Sequence, residues 1–320
     1  MLLAVTKRSS TIETKHEGFY ASIIEGRFSI SEKQAERTNV CLRSSAKPFQ
    51  VLACLNLISS KVPLSLKDIA ISTASHSGTD KHLDVVRELL NKNNVEWQEL
   101  RCGEHAPLDR SVNYFINDPK KRRLQNNCSG KHSLMVITCK LMNWDSKNYF
   151  SPSHPLQNEI LRTVAELCEL PTSSIEVAVD GCGVPSFSLP VRNILLGFGK
   201  FNLASQSANI LKITNAMLSE AFFVSGSGRL DYEITKAFEN KLVSKSGACG
   251  LTLISFLDKP DSALMLKLYD SEEKVRALLI KEIIEKHGYI INSQAKLFRR
   301  EIQNLHGHDA ASVETFLNVF

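Results

Sequence analysis

The sequence predicts an α+β protein with an antiparallel sheet built from both termini, flanked by helices, and a helical middle region. Three observations carry this: β-type patterns at the start of the chain, helical runs concentrated in its middle, and a hairpin followed by a packing helix near its end. At the start, residues 2–6 and 19–24 read as strands, with a charged turn at Glu25-Gly26 and a further short apolar run beyond it. Near the end, residues 250–257 and 263–269 read as strands around the turn Asp258-Lys259-Pro260-Asp261. Ser271 is expected to cap the following helix, whose Val275, Leu278, Leu279 and Ile283 form one apolar stripe.

The middle changes character. Residues 49–58 (FQVLACLNLI) are apolar and helical in composition, and 80–93 places Leu83, Val86, Leu89 and Leu90 at helical spacing. Further helices are expected at 131–142, 154–169 and 205–222. Residues 69–74 read as a short buried strand, and 175–179 as a strand running into Asp180-Gly181-Cys182-Gly183. No repeat or Pro/Gly-rich linker divides the chain. The expected organisation is therefore a discontinuous sheet domain of residues 1–42 and 172–320 around a mainly helical region, 43–171.

Composition bounds the function. A chain of 320 residues with 43% hydrophobic and 23% charged residues can bury a substantial core, which excludes disorder and low-complexity arrays. The net charge of +5 is spread out, and its one dense run, Lys120-Lys121-Arg122-Arg123, reads as a solvated loop. With aromatics at only 7%, no nucleic-acid partner is expected. No apolar stretch approaches the roughly 20 residues that cross a bilayer, so no membrane partner is expected. Lys7 and Arg8 follow the first apolar residues, the wrong order for a secretory signal, and the chain reads as cytoplasmic. Its eight cysteines are expected to be thiols.

Several segments carry chemistry. Ser44-Ser45-Ala46-Lys47 places a hydroxyl and an amine three residues apart, on one face of a helical or 3₁₀ turn just before Pro48. A neutral amine there can take a serine proton for acyl transfer. The spacing alone is common, since Ser271-Glu272-Glu273-Lys274 and Ser293-Gln294-Ala295-Lys296 repeat it and the first of these suits a helix cap. Lys245-Ser246-Gly247 adds weight, because a Lys-Thr/Ser-Gly triplet accompanies Ser-x-x-Lys in serine β-lactamases and penicillin-binding proteins. Cys128-Ser129-Gly130-Lys131 and Asp180-Gly181-Cys182-Gly183 offer two thiolates for Zn²⁺, with Lys131 or His132 completing a site; small buried cysteines on tight turns are the other reading. Ser75-His76-Ser77-Gly78 is expected as a polar cluster at a cleft mouth.

Set side by side, Arg43 to Gln50 (RSSAKPFQ), Ser75-His76-Ser77-Gly78, Asn127 to His132 (NCSGKH), Asp180 to Pro185 (DGCGVP) and Lys245-Ser246-Gly247-Ala248 resemble the L-asparaginase II family, the rhizobial type related to serine β-lactamases and D,D-peptidases. Cys102-Gly103, His154-Pro155-Leu156-Gln157 and Gly226-Ser227-Gly228-Arg229 extend the resemblance. It implies a serine β-lactamase/D,D-peptidase-like fold, a homodimer and hydrolysis of L-asparagine. By the same resemblance, Ser44 with Lys47 and Ser75 with Lys245 match two catalytic serine-lysine tandems, while Cys128, Lys131 and Cys182 match zinc ligands. Asp180 and His132 match substrate-binding positions, and Arg43 suits the substrate carboxylate because its planar fork fits that group. The chain departs from the family at Cys249, where a glutamate is usual. Two alternatives remain open: a β-lactamase or D,D-peptidase-like hydrolase, suggested by Ser111-Val112-Asn113, and a non-catalytic zinc-stabilised amino-acid-binding protein, suggested by Cys249.

Overall fold

The computed structural model describes residues 1–115, 117–293 and 295–317. Its strands are β1 (Leu2–Arg8), β2 (Thr11–Ile24), β3 (Arg27–Ile30), β4 (Asn39–Cys41), β5 (Glu176–Val179), β6 (Pro185–Pro190), β7 (Leu242–Ser246), β8 (Leu251–Phe256), β9 (Ala263–Leu268), β10 (Glu301–Gln303) and β11 (Asp309–Thr315). Its helices are α1 (Lys47–Ile58), α2 (Leu66–Thr73), α3 (Asp80–Asn91), α4 (Pro119–Gln125), α5 (Ser129–Leu141), α6 (Pro155–Leu167), α7 (Val191–Gly199), α8 (Ala208–Ser219), α9 (Ala221–Val224), α10 (Leu230–Ala237) and α11 (Glu273–Lys286). The main sheet runs β10-β11-β1-β2-β9-β8-β7, with β3 paired to β2. All of its pairings are antiparallel, so the two ends of the chain do build one sheet. A second, three-stranded sheet has the order β4-β6-β5.

The main sheet is buried on both sides, and strand alternation explains how. On β2, β8 and β9 the residues Phe19, Ala21, Leu251, Leu253, Ala263 and Met265 join a large core shared with the helical middle. Their neighbours Tyr20, Ile254, Phe256, Leu264 and Leu266 point the other way, into a core closed by α10 and α11. Successive side chains on a strand face opposite sides, so one strand seals two cores. The stripe expected on α11 is present, with Val275, Leu278, Leu279 and Ile283 all buried. Among the described residues no helix is long and apolar enough to cross a membrane.

Three local expectations are corrected. Residues 69–74 are not a strand: 69–73 lie in α2 and Ala74 caps its end, and the helix starts from a capping box in which Ser65 and Asp68 exchange hydrogen bonds. Two satisfied N-terminal donors decide for the helix where a short apolar run is ambiguous. The basic run 120–123 is not a loop but part of α4, started by the Asp118 side chain accepting from the Lys121 N–H, with Pro119 in the first turn. Ser271 does not cap α11; it sits at φ 65° in the left-handed region, and the Glu272 side chain caps instead.

Two close approaches place the future site. A Cβ on Gly130 would stand 2.1 Å from the Ile71 carbonyl oxygen, so glycine lets the start of α5 press against α2. One on Gly247 would stand 2.7 Å from the Leu42 carbonyl oxygen, which brings the end of β7 onto the turn that carries Ser44. The obstacle at Gly130 is backbone and no rotamer relieves it. Gly130→Ala is therefore expected to destabilise the protein by about 1–3 kcal/mol, seen as a lower urea midpoint; an unchanged midpoint would refute the packing.

Candidate active site

The 3₁₀ turn Arg43–Ala46 leads straight into α1, so Ser44 and Lys47 occupy consecutive turns of one helical path. Lys47 is wholly buried, and its amine passes beneath the turn to the C-terminal end of α2. There it donates to the Ala74 carbonyl, and its Nζ lies 3.0 Å from Ser75 Oγ and 3.5 Å from the Asn127 carbonyl oxygen. Lys245, on β7, is also wholly buried; its Nζ lies 3.1 Å from the same Ser75 Oγ, 2.8 Å from the Ser246 carbonyl oxygen and 3.2 Å from Asp231 Oδ2. Ser75 therefore meets Lys245, its expected tandem partner, and Lys47 as well. Ser44 makes no hydrogen bond to either amine among the described residues.

The two amines differ in their surroundings. Lys245 has three acceptors for the three N–H groups of an ammonium, one of them a carboxylate. Burial pushes the Asp231 carboxyl up, but Lys245 and the hydroxyls of Ser246 and Ser244 outweigh it and hold it below its ordinary value. Asp231 also accepts the Ser246 N–H, Ser246 Oγ–H and Ser244 Oγ–H at 2.8 Å each. Lys47 has no carboxylate. Burial lowers its pKa to about 8, against the opposing influence of Cys128 and with help from Lys245 and Lys131. A neutral Lys47 can donate to the Ala74 and Asn127 carbonyls and turn its lone pair to the Ser75 hydroxyl.

Half-buried Ser75 and Ser44 both line a cavity of about 420 Å3. Arg43, Asp180, Cys182, Cys128 and Asp231 line it too, together with Cys249 and the arginines 229 and 276. Arg43 Nε donates to Asp180 Oδ1 at 2.7 Å, and its Nη1 lies 3.6 Å from Cys249 Sγ. His76 and Ser77, expected at a cleft mouth, are fully buried instead. His76 Nδ1 accepts the Gly78 N–H, so Nε2 carries the proton and donates to Ser129 Oγ at 2.9 Å.

Beside the cavity, Lys131 Nζ donates to Cys182 Sγ at 3.2 Å. The Cys128 thiol hydrogen-bonds to Cys182 and, with Lys131, holds it as a thiolate far below an ordinary thiol despite burial. The same bond, and burial, push the Cys128 thiol up. His132 lies buried behind this group rather than on the cavity wall; its Nδ1 meets the Tyr149 hydroxyl at 2.6 Å, and the ring also supports the Cys182 thiolate. Among the described residues no three His, Cys, Asp or Glu side chains gather around a metal position. The donor set is two sulfurs and the Lys131 amine, with the His132 imidazole behind them, which fits a thiophilic cation once the amine loses its proton.

Asp231 was missed in the sequence. Its one signal is an acidic residue in the first turn of α10, two positions after Gly226-Ser227-Gly228-Arg229.

A half-exposed hydroxyl held by an ion-paired amine and by a second whose pKa is lowered to about 8, at the floor of a polar pocket, suits attack on a carbonyl carbon. Comparison with known families defines the class: one family model matches residues 4–315, nearly the whole chain, and it makes this protein an amidohydrolase. The family is L-asparaginase II; the chain belongs to it, and its substrate is the small molecule asparagine. A comparison with curated proteins gave no significant match.

Asp231→Asn would leave the Lys245 ammonium buried without its counter-charge, and is expected to cost about 3–5 kcal/mol in stability. Urea denaturation checks this; a loss under 1 kcal/mol would mean the pair is not buried as described.

Proposed function

We propose that the chain hydrolyses the side-chain amide of L-asparagine to L-aspartate and ammonia through a serine acyl-enzyme, on a fold of the serine β-lactamase/D,D-peptidase type. The observation that carries this reading is Ser75 Oγ within hydrogen-bond reach of two buried lysines, only one of which has a carboxylate partner. Ser44 is the nucleophile: it faces the cavity, one turn before Lys47, and no hydrogen bond among the described residues restrains its hydroxyl. Neutral Lys47 takes the Ser44 proton as Ser44 Oγ bonds to the side-chain carbonyl carbon. Lys47 returns that proton through Ser75 to the amide nitrogen, the C–N bond breaks, and ammonia leaves a β-aspartyl ester. Water then attacks the ester, gives its proton to Lys47, and the Ser44 oxygen leaves with a proton. Lys245, kept charged by Asp231, steadies the oxyanion in both steps. Asp180, oriented by Arg43, pairs with the substrate ammonium.

Cys128, Cys182 and Lys131 would hold Zn²⁺, and bound metal would supply a Lewis-acid anchor that orients substrate. Loading requires the Cys128 thiol and the Lys131 ammonium to lose protons, so uptake rises with pH. In this proposal Cys182→Ser abolishes bound zinc as measured by elemental analysis; unchanged metal content would remove Cys182 from the ligand set.

A second reading, with Ser75 itself as nucleophile, is favoured by its direct contact with Lys47. Quenched-turnover mass spectrometry separates the two. A β-aspartyl adduct on Ser44, and loss of ammonia release in Ser44→Ala, support the first reading; an adduct on Ser75 transfers the role. No adduct on either serine would end the acyl-enzyme mechanism. In the same assay kcat/KM should rise with pH and level off above about 8, because the base is active only after Lys47 deprotonates.

A further inference from the structure

Three arginines (43, 229 and 276) and three carboxylates (Asp180, Asp231 and Glu273) line the cavity, but among the described residues only Arg43 of these arginines makes an ion pair. Arg43 is bound to Asp180 and Lys245 to Asp231. Arg229, just before α10, and Arg276, on α11, line the same cavity, and neither makes an ion pair among the described residues. The Arg229 guanidinium has no hydrogen-bond partner among the described residues, and its Nε is buried. Arg276 is only 8% exposed; its Nη1 reaches the Leu251 carbonyl oxygen at 3.4 Å and Thr252 Oγ1 at 3.3 Å, while its Nε has no partner. Glu273 on the same cavity wall accepts the Leu230 N–H at 3.2 Å, and it and Asp231 attract Arg276 without forming an ion pair with it.

Burial lowers the Arg276 pKa against the attraction of Glu273 and Asp231, and the charge of Arg229 adds to the lowering. Two like charges facing one partly dry cavity are stable together when an anion enters between them. Arginine suits a planar anion, because its donors form a fork that matches a carboxylate. Arg276 is also wired to the reacting centre. Thr252 Oγ1 lies 3.4 Å from Ser246 Oγ, which donates to Asp231, the partner of Lys245.

We propose that Arg229 and Arg276 form the receptor for the α-carboxylate of the amino-acid substrate, leaving Arg43 to orient Asp180. This rests on the asparaginase reading for the identity of the substrate, but not on its mechanism. The site selects amides that carry a carboxylate on the carbon next to the side-chain methylene, and it positions the amide relative to Ser44 and Ser75.

L-aspartate binds without turnover, so calorimetric titration of the full chain tests the receptor independently of catalysis. Arg229→Gln and Arg276→Gln are each expected to weaken L-aspartate binding by about tenfold or more, and Arg229→Lys to recover only part of the loss. β-Alanine, which lacks the α-carboxylate, should bind both wild type and Arg229→Gln weakly and alike. In steady state, Arg229→Gln should raise KM for asparagine more than it lowers kcat, and shrink the preference for asparagine over 3-aminopropanamide. Should Arg276→Gln fail to fold, half-buried Arg229 decides the matter. Unchanged aspartate affinity in Arg229→Gln, or no aspartate binding by the wild type, overturns the inference. Ammonia release with unaffected variants would leave the asparaginase reading standing without it; aspartate binding lost in the variants of a chain that releases no ammonia would do the reverse.

Discussion

Two lysine amines drawn out of water onto one serine hydroxyl are the constraint around which this molecule is arranged. A buried ammonium is costly, and a protein can meet that cost by supplying a carboxylate or by letting the amine lose its proton. Both answers occur within bonding distance of Ser75. Lys245 has Asp231, itself held by three further donors from Ser244 and Ser246. Lys47 has only carbonyls and a hydroxyl, and its pKa falls to about 8. In the proposed mechanism this asymmetry separates the roles: the ion-paired amine steadies charge, and the one without a carboxylate, its pKa lowered by burial, serves as base.

The fold supplies this cluster from distant parts of the chain. Lys47 comes from the first turn of α1, Ser75 follows α2, Asp231 opens α10 and Lys245 sits on β7, the edge of the main sheet. Rigid elements bring each group in, and two glycines set how closely those elements approach. The sheet cannot shift without disturbing two cores at once, because alternate residues of β8 and β9 belong to different clusters. A site assembled on such a frame holds its geometry better than one built on loops.

Much of this was legible in the sequence, and the failures have physical causes. The sheet from both termini followed from alternating strands and the late hairpin, and the residues of the cluster from Ser44-Ser45-Ala46-Lys47 and Lys245-Ser246-Gly247. What spacing did not give was the direction of Lys47. A three-residue interval fixes which turn a lysine occupies, but a four-carbon stem can run along its own helix or beneath it, and packing against α2 decides. Residues 69–74 failed for a related reason, since a short apolar run fits either a strand or a buried helix. The signal that settled it, Ser65 with Asp68, lay just upstream. Asp231 was out of reach because its partner is 14 residues away in sequence, on another element.

The charge pattern of the pocket bears on turnover as well as on binding. Asparagine brings a neutral amide to the two lysines, and hydrolysis replaces it with a carboxylate. A site with two unmatched ammonium groups at that point would hold its product tightly. In the proposed mechanism Lys245 beside Ser75 is already matched by Asp231, and Lys47, once it has lost its proton, adds no charge. In that proposal, loss of the Lys47 proton serves two ends: it frees a lone pair for the first step and removes an attraction that would delay aspartate after the last.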